Sequence, residues 1–182
     1  MQPHFIKNSA HLPNQRPAPE RQETDFVGAL YAGEPTAWTA LVDQWSPRLY
    51  NYLIYNAIGE AEVHKLMRII FSEIVRAIAG ARRITNLGVL ILSVAHRHVL
   101  HHRRQSPLIM PPKLRQIALA SNEDDDRRIN FFLTFYRFAP DIQQILLLHH
   151  LCEVDLEEIT QIVGQSTEVV TKALSQAQYY LS

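Results

Sequence analysis

The sequence predicts an all-α protein, two small helical domains joined by a flexible linker. Three observations carry that expectation. Apolar residues recur at helical spacing through residues 25–104 and again from about residue 129 to the end. No strand-like alternation competes with it. Between the two stretches the composition breaks: "QSPLIMPPKLRQ" holds three prolines, and "SNEDDD" has no apolar member. We therefore read residues 1–23, rich in Pro, Gln and Asn, as a disordered tail. Residues 24–104 form the first domain, 105–128 the linker and 129–182 the second domain.

In the first domain Trp38, Leu41, Val42 and Trp45 share one helix face, and Pro47 is placed to open the next helix, with Leu49, Leu53 and Ala57 inward. A third helix, about 60–79, has the buried stripe Val63, Leu66, Met67, Ile70, Phe71, Ile74 and Ile78, and Gly80 is placed to end it. A fourth, 87–104, starts apolar and ends as "HRHVLHHRR". In the second domain Ile142, Ile145, Leu146 and Leu148 offer a core. Asp155 and Glu158 read as a capping box opening a short helix. Gly164 supplies a left-handed turn residue, and Ser166 is a ready N-cap for the last helix. Leu156, Ile159, Val163, Val170, Leu174, Ala177 and Leu181 can pack those helices together. The segment is a helix-turn-helix by spacing.

The totals exclude several classes. With 182 residues, 47% of them apolar and 20% charged, the chain suits a folded protein. Its longest strongly apolar run, 88–95, is less than half a membrane span, so no membrane insertion is expected. The N-terminus lacks the apolar core of a secretion signal, and the single cysteine, Cys152, cannot form an internal disulfide. A cytoplasmic protein is the simplest expectation. Formal charge sums to zero but is uneven. Residues 24–104 carry nine Lys/Arg against six Asp/Glu, whereas 129–182 set only Arg137 and Lys172 against six acids. The helix-turn-helix half is the acidic one.

"HRHVLHH" suggests three uses: a zinc site from His98, His101 and His102, a nucleic-acid face, or a solvated helix end. No carboxylate or cysteine is close in sequence, and Arg97, Arg103 and Arg104 repel a cation, so zinc is the weakest of the three. His149, His150 and Cys152 make at best a partial ligand set. There is no phosphate-binding Gly loop and no nucleophile motif. Neither an enzyme, a metal nor a cofactor is expected.

Taken together, these residues resemble the extracytoplasmic-function (ECF) sigma factors of the sigma-70 family. The resemblance covers nearly all of 25–181. "GEAEVHKLMRIIFSEIV" sits where the family has its region 2 polymerase-contact helix, with Leu66 and Phe71 matching. "LILSVAHRHVLHHRR" sits at the minus-ten segment, with Ala95 and Arg104 matching. "FAPDIQQILLLHHLCEVDLEEITQIVGQSTEVVTKALSQAQYYL" follows region 4, with Glu158, Ile159, Gly164, Ser166, Val170, Leu174, Ala177 and Leu181 in register.

The resemblance implies a transcription-initiation protein whose partners are core RNA polymerase and promoter DNA, with an anti-sigma protein as a possible third. Glu62, Lys65, Arg68, Ile69 and Ser72 would meet the polymerase β′ subunit. His96, Arg97, His98, His101, His102, Arg103 and Arg104 would face the opened minus-ten strand by stacking and phosphate contact. Gln165, Ser166, Thr167, Glu168, Thr171 and Lys172 would face the upstream element. By the same resemblance "EDDD" would thread the polymerase cleft; read by itself, it is solvated disorder.

The departures from the family pattern fall on surface positions. Lys65 replaces an acid, Arg68 a Gln and Ile69 an acid, and Leu90 and Arg97 replace the family's Trp and Asn. Thr171, Ala173, Gln176, Gln178 and Tyr179 stand where several Lys/Arg are usual. Each lost phosphate contact removes a slope of roughly 0.9 in log K against log salt. A second expectation therefore stands beside the first: a protein-interaction module that keeps the fold and has given up DNA reading.

Overall fold

A computed structural model describes residues 20–56, 58–81, 83–105 and 134–181 of the chain. The order is α1 (Glu20–Tyr31), α2 (Pro35–Tyr55), α3 (Glu60–Gly80), α4 (Leu87–Gln105), α5 (Pro140–Leu146), a π turn (Leu147–Leu151), α6 (Leu156–Val163) and α7 (Thr167–Leu181). Among the described residues there is no strand, so the all-α expectation is met. Apart from Gln105, the last residue of α4, the linker and its acidic run lie outside the described residues.

α1 begins at Glu20, so its first turn falls inside the stretch expected to be tail. α2 runs unbroken through Pro47, where a new helix was expected. A proline ring displaces the hydrogen bond to the carbonyl four residues back. That carbonyl belongs to Asp43, and Asp43 and Pro47 are both exposed, so water can take the place of the lost donor. Leu41, Trp45, Leu49 and Leu53 then continue one buried stripe across the site. On α3, Val63, Ile70, Ile74 and Ile78 are buried, with Leu66, Met67 and Phe71 packed at the edge. Gly80 is the last helical residue, but the residue after it is extended rather than left-handed.

Left-handed glycines mark two turns. Gly33 (φ 74°) closes α1, and Gly164 (φ 66°) turns α6 toward α7 as its position predicts. Ser166 caps α7 loosely, Val169 N donating to its Oγ at 3.4 Å. The expected capping box at α6 does not form: Asp155 makes no side-chain cap. Glu158 is drawn away by a tertiary partner, Asn86 Nδ2, which donates to its Oε1 at 2.5 Å. The apolar run before α6 widens into a π turn, Cys152 N donating to Leu147 O at 3.1 Å. Ile145, Leu146 and Leu148 are buried as expected, and Ile142 partly so.

α1, α2, α3 and α4 pack on one another, and α5, α6 and α7 do the same. The two groups also touch directly. α6 lies on α4, and the π turn lies on α2. These contacts set the environment of every candidate site.

Candidate nucleic-acid and polymerase interfaces

α4 starts at Asn86, whose Oδ1 accepts Val89 N at 2.9 Å as an N-cap. Its first turns bury Leu87, Ile91 and Leu92, and its last two turns turn the histidines and arginines in different directions. Arg97 is exposed and pairs with Glu73 of α3, Nη2 to Oε1 at 2.7 Å. His98 Nε2 meets the other oxygen of the same carboxylate at 2.5 Å. The bond with His98, helped by Arg97 and Arg76, holds the Glu73 carboxyl below its usual range although partial burial opposes this. His102 Nδ1 lies 3.7 Å from Glu62. His101 is exposed and bonds Gln105, and Arg104 is exposed.

The other two members of the expected nucleic-acid face point elsewhere. His96 is only 6% exposed, and Arg103 reaches across to α5, donating to Gln143 Oε1 at 3.0 Å and Pro140 O at 3.4 Å. In this conformation neither faces solvent with Arg97, Arg104 and His101; both belong to the contact between the two helix groups. The physical reason is period: on a helix, position 96 shares a face with Leu92, Val99 and Arg103.

At that contact a closed set of polar side chains is buried. Tyr52 Oη donates to Gln144 Oε1 at 2.5 Å, and Gln144 Nε2 donates to Asn56 Oδ1. Asn56 Nδ2 donates back to Tyr52 O at 2.7 Å. Since the single Tyr52 proton goes to Gln144, the 3.2 Å contact with His96 Nδ1 is a bond donated by the imidazole. Burial pushes the Tyr52 phenol well up and the His96 imidazole down, so both are neutral near pH 7. Gln143 Nε2 donates to Phe138 O at 2.8 Å. Tyr52, Asn56, Gln143 and Gln144 were missed as functional candidates. The signal was there: polar residues one turn apart, Tyr52 and Asn56, and a Gln pair between Ile142 and Ile145 on otherwise apolar stripes.

Gln165, Ser166, Thr167, Glu168, Thr171 and Lys172 are all exposed together along the turn after α6 and the start of α7. Lys172 is the single cation of that group and Glu168 opposes it. Ala173, one of the uncharged positions compared with the family's cations, is buried against the core and not on the surface. Beside it Ile142, Ile145, Val169 and Gln176 line a groove of about 160 Å³ between α5 and α7.

α3 presents Glu62, Lys65, Arg68, Ile69 and Ser72 as a continuous exposed face at three- and four-residue spacing. Ile69 (43% exposed) and Val75 (45%) are its apolar members. Ser72 Oγ accepts from Arg76 at 3.2 Å. Among the described residues Lys65 and Arg68 form no ion pair.

His149 and His150 meet edge to face at 4.7 Å, and Cys152 is buried with its thiol pushed up to about 12. Among the described residues no group of three or more His, Cys, Asp or Glu is placed to hold a metal ion. No described helix is long and apolar enough to cross a membrane.

No family model matches the sequence, and no curated protein matches it. Solved structures do. The structure of CnrH in complex with the cytosolic domain of CnrY aligns with a TM-score of 0.65 at 12% identity, over 86% of this chain and 92% of that one. The chain has the fold of an ECF sigma factor. At that identity the likeness speaks for the fold, across both helix groups. The structure of the RsbN-BldN complex aligns over 85% of this chain and 96% of that one, at 20% identity and a TM-score of 0.39, too low to add to the argument.

Proposed function

We propose that this chain is a sigma-factor-like transcription-initiation protein. It engages core RNA polymerase through the exposed face of α3 and nucleic acid through the end of α4. The observation that supports this best is the α3 face itself: Glu62, Lys65, Arg68, Ile69 and Ser72 are exposed end to end, on a fold in which the matching helix meets polymerase by resemblance. Promoter binding through α7 is the weaker arm, because its exposed face carries Lys172 against Glu168. CnrH was solved with the cytosolic domain of CnrY. A protein regulator of this chain is part of the same proposal.

A second reading is favoured by one feature. Val169 is 46% exposed beside the groove between α5 and α7, where phosphate-binding cations would serve DNA. A protein-interaction module would use such a surface.

Co-purification of the full chain with core RNA polymerase from its own host, followed by run-off transcription, separates the two. A retained complex that initiates transcription is the expected result. A folded, monodisperse protein that binds no polymerase would transfer the assignment to the interaction module.

A further inference from the structure

We propose that Glu73 is a positioning residue for the nucleic-acid face of α4: it withholds Arg97 and His98 from the phosphates of a single strand, and so sets how tightly that strand is held. Glu73 itself lies on α3, and its role rests on the nucleic-acid reading of α4.

Two consecutive residues share this one counterion. Neighbours on a helix point about 100° apart, yet Arg97 and His98 both turn to the same carboxylate across the α3–α4 contact. Arg97 Nη2 meets Oε1 at 2.7 Å and His98 Nε2 meets Oε2 at 2.5 Å. An ionised carboxylate only accepts, so each oxygen of Glu73 has an N–H of α4 directed at it. Arg76, one turn further along α3, adds its charge on the other side.

The clamp stands at the surface and not in the core. The Arg97 side chain is 65% exposed, against 22% for His98 and 31% for Glu73. A phosphate oxygen can reach the guanidinium, but a carboxylate already holds its N–H groups, and the two anions ask for the same donors. Strand binding at Arg97 is therefore an exchange of one anionic partner for another. Among the described residues Arg104 is the exposed cation of this helix end with no ion pair, and it is the one that binds without such an exchange. An exposed ion pair is worth little, so Glu73 acts as a brake of severalfold, not as a block. It also removes Arg97 from the counterion-release count, which flattens the salt dependence.

Fluorescence anisotropy of a labelled oligothymidine with the full-length protein, at several salt concentrations, tests this. Glu73→Gln keeps the shape of the side chain and removes its charge. Affinity should rise about fivefold, and the slope of log K against log salt should steepen by about 0.7, one more phosphate contact on a single strand. A side chain that merely held α3 to α4 would weaken the strand when lost. Glu34→Gln removes the same charge from an exposed position before α2 and should leave both quantities near wild type. In an Arg97→Ala background Glu73→Gln should gain little, because the residue it releases is gone.

A gain of undiminished size in that background would reduce Glu73 to a general charge effect and overturn the proposal. Unchanged or weaker binding by Glu73→Gln alone would overturn it as well. Arg104→Ala separates that failure from failure of the reading beneath it. If Arg104→Ala weakens the strand while Glu73→Gln does nothing, α4 remains the nucleic-acid face without this brake. If neither substitution moves the affinity, the strand is held elsewhere and both fall.

Discussion

Asn86 joins the two helix groups by a single side chain: its Oδ1 caps α4 at Val89 N, while its Nδ2 donates to Glu158 Oε1 at 2.5 Å on the first turn of α6. One residue thus starts a helix in one group and anchors α6 of the other. Asn86→Ala removes both bonds. A lost cap costs about 1 kcal/mol and a lost bond to a charged acceptor about 1.5–3, less where water competes. We expect a destabilisation of about 1–3 kcal/mol by urea melting. Asn86→Asp keeps the cap but sets a carboxylate against Glu158, and should recover less than half of that loss.

His96 predicts an acid-side loss of stability. Burial lowers its pKa below the ordinary 6.5, opposed by the bond with Gln144 and by Asp141 and supported by Arg103; Tyr52 faces it as a neutral phenol. The folded protein therefore resists a proton that the unfolded chain accepts. The stabilisation is complete above about pH 6.5 and is lost as pH falls below it, toward the depressed folded value. His150, also depressed by burial, acts in the same direction. Urea midpoints at pH 7.5 and pH 5 should diverge less in His96→Asn than in wild type. An identical divergence would show that His96 is not the group being titrated.

The α3 face predicts a gain of function by substitution. Lys65 and Arg68 stand where the family resemblance places an acid and a Gln facing a basic polymerase surface. Like charges across an interface cost several kcal/mol. Lys65→Asp combined with Arg68→Gln should tighten binding to core polymerase at least about tenfold, since about 1.4 kcal/mol of relieved repulsion suffices. Weaker binding in the pair would mean that the opposing surface is acidic.

The charge-poor start of α7 predicts weak, salt-insensitive duplex binding. Thr171 and Gln176 are exposed and uncharged. Thr171→Arg with Gln176→Arg should raise affinity for duplex DNA and steepen the salt dependence by roughly 0.9 per new phosphate contact. Anisotropy titrations at two salt concentrations read both effects. An unchanged slope would place α7 away from the phosphates.

Much of the fold was legible, because a helix declares its buried face by spacing alone. Val63, Ile70, Ile74 and Ile78 on α3 were read correctly, and so was the turn at Gly164. Spacing says which face is covered, not what covers it. The capping box at Asp155 and Glu158 failed for that reason: a local pattern was outbid by Asn86, 72 residues away. Pro47 failed because exposure lets a helix tolerate what a buried turn would not. His96 and Arg103 looked like members of one basic run, and only the arrangement of α5 against α4 separates them from Arg97 and Arg104. No expectation attached to the Gln143–Gln144 pair, which lies between the core residues Ile142 and Ile145. It is the polar centre of a contact between segments that sequence treats as independent.

Glu73 gives the basic end of α4 a resident counterion. Its two oxygens are committed to Arg97 and His98, and Glu62 stands by His102. A phosphate approaching that surface meets an arginine already paired and two carboxylates that repel it. Strong electrostatic capture needs bare cations; Arg97 is sheathed, and among the described residues Arg104 is the exposed cation of that helix end without an ion pair. What is left to hold a strand is Arg104 and the flat face of the exposed His101 ring against a base, the latter short in range. Such a surface would pass over double helices, whose bases are hidden, and hold a strand only where something else has already pulled the bases apart.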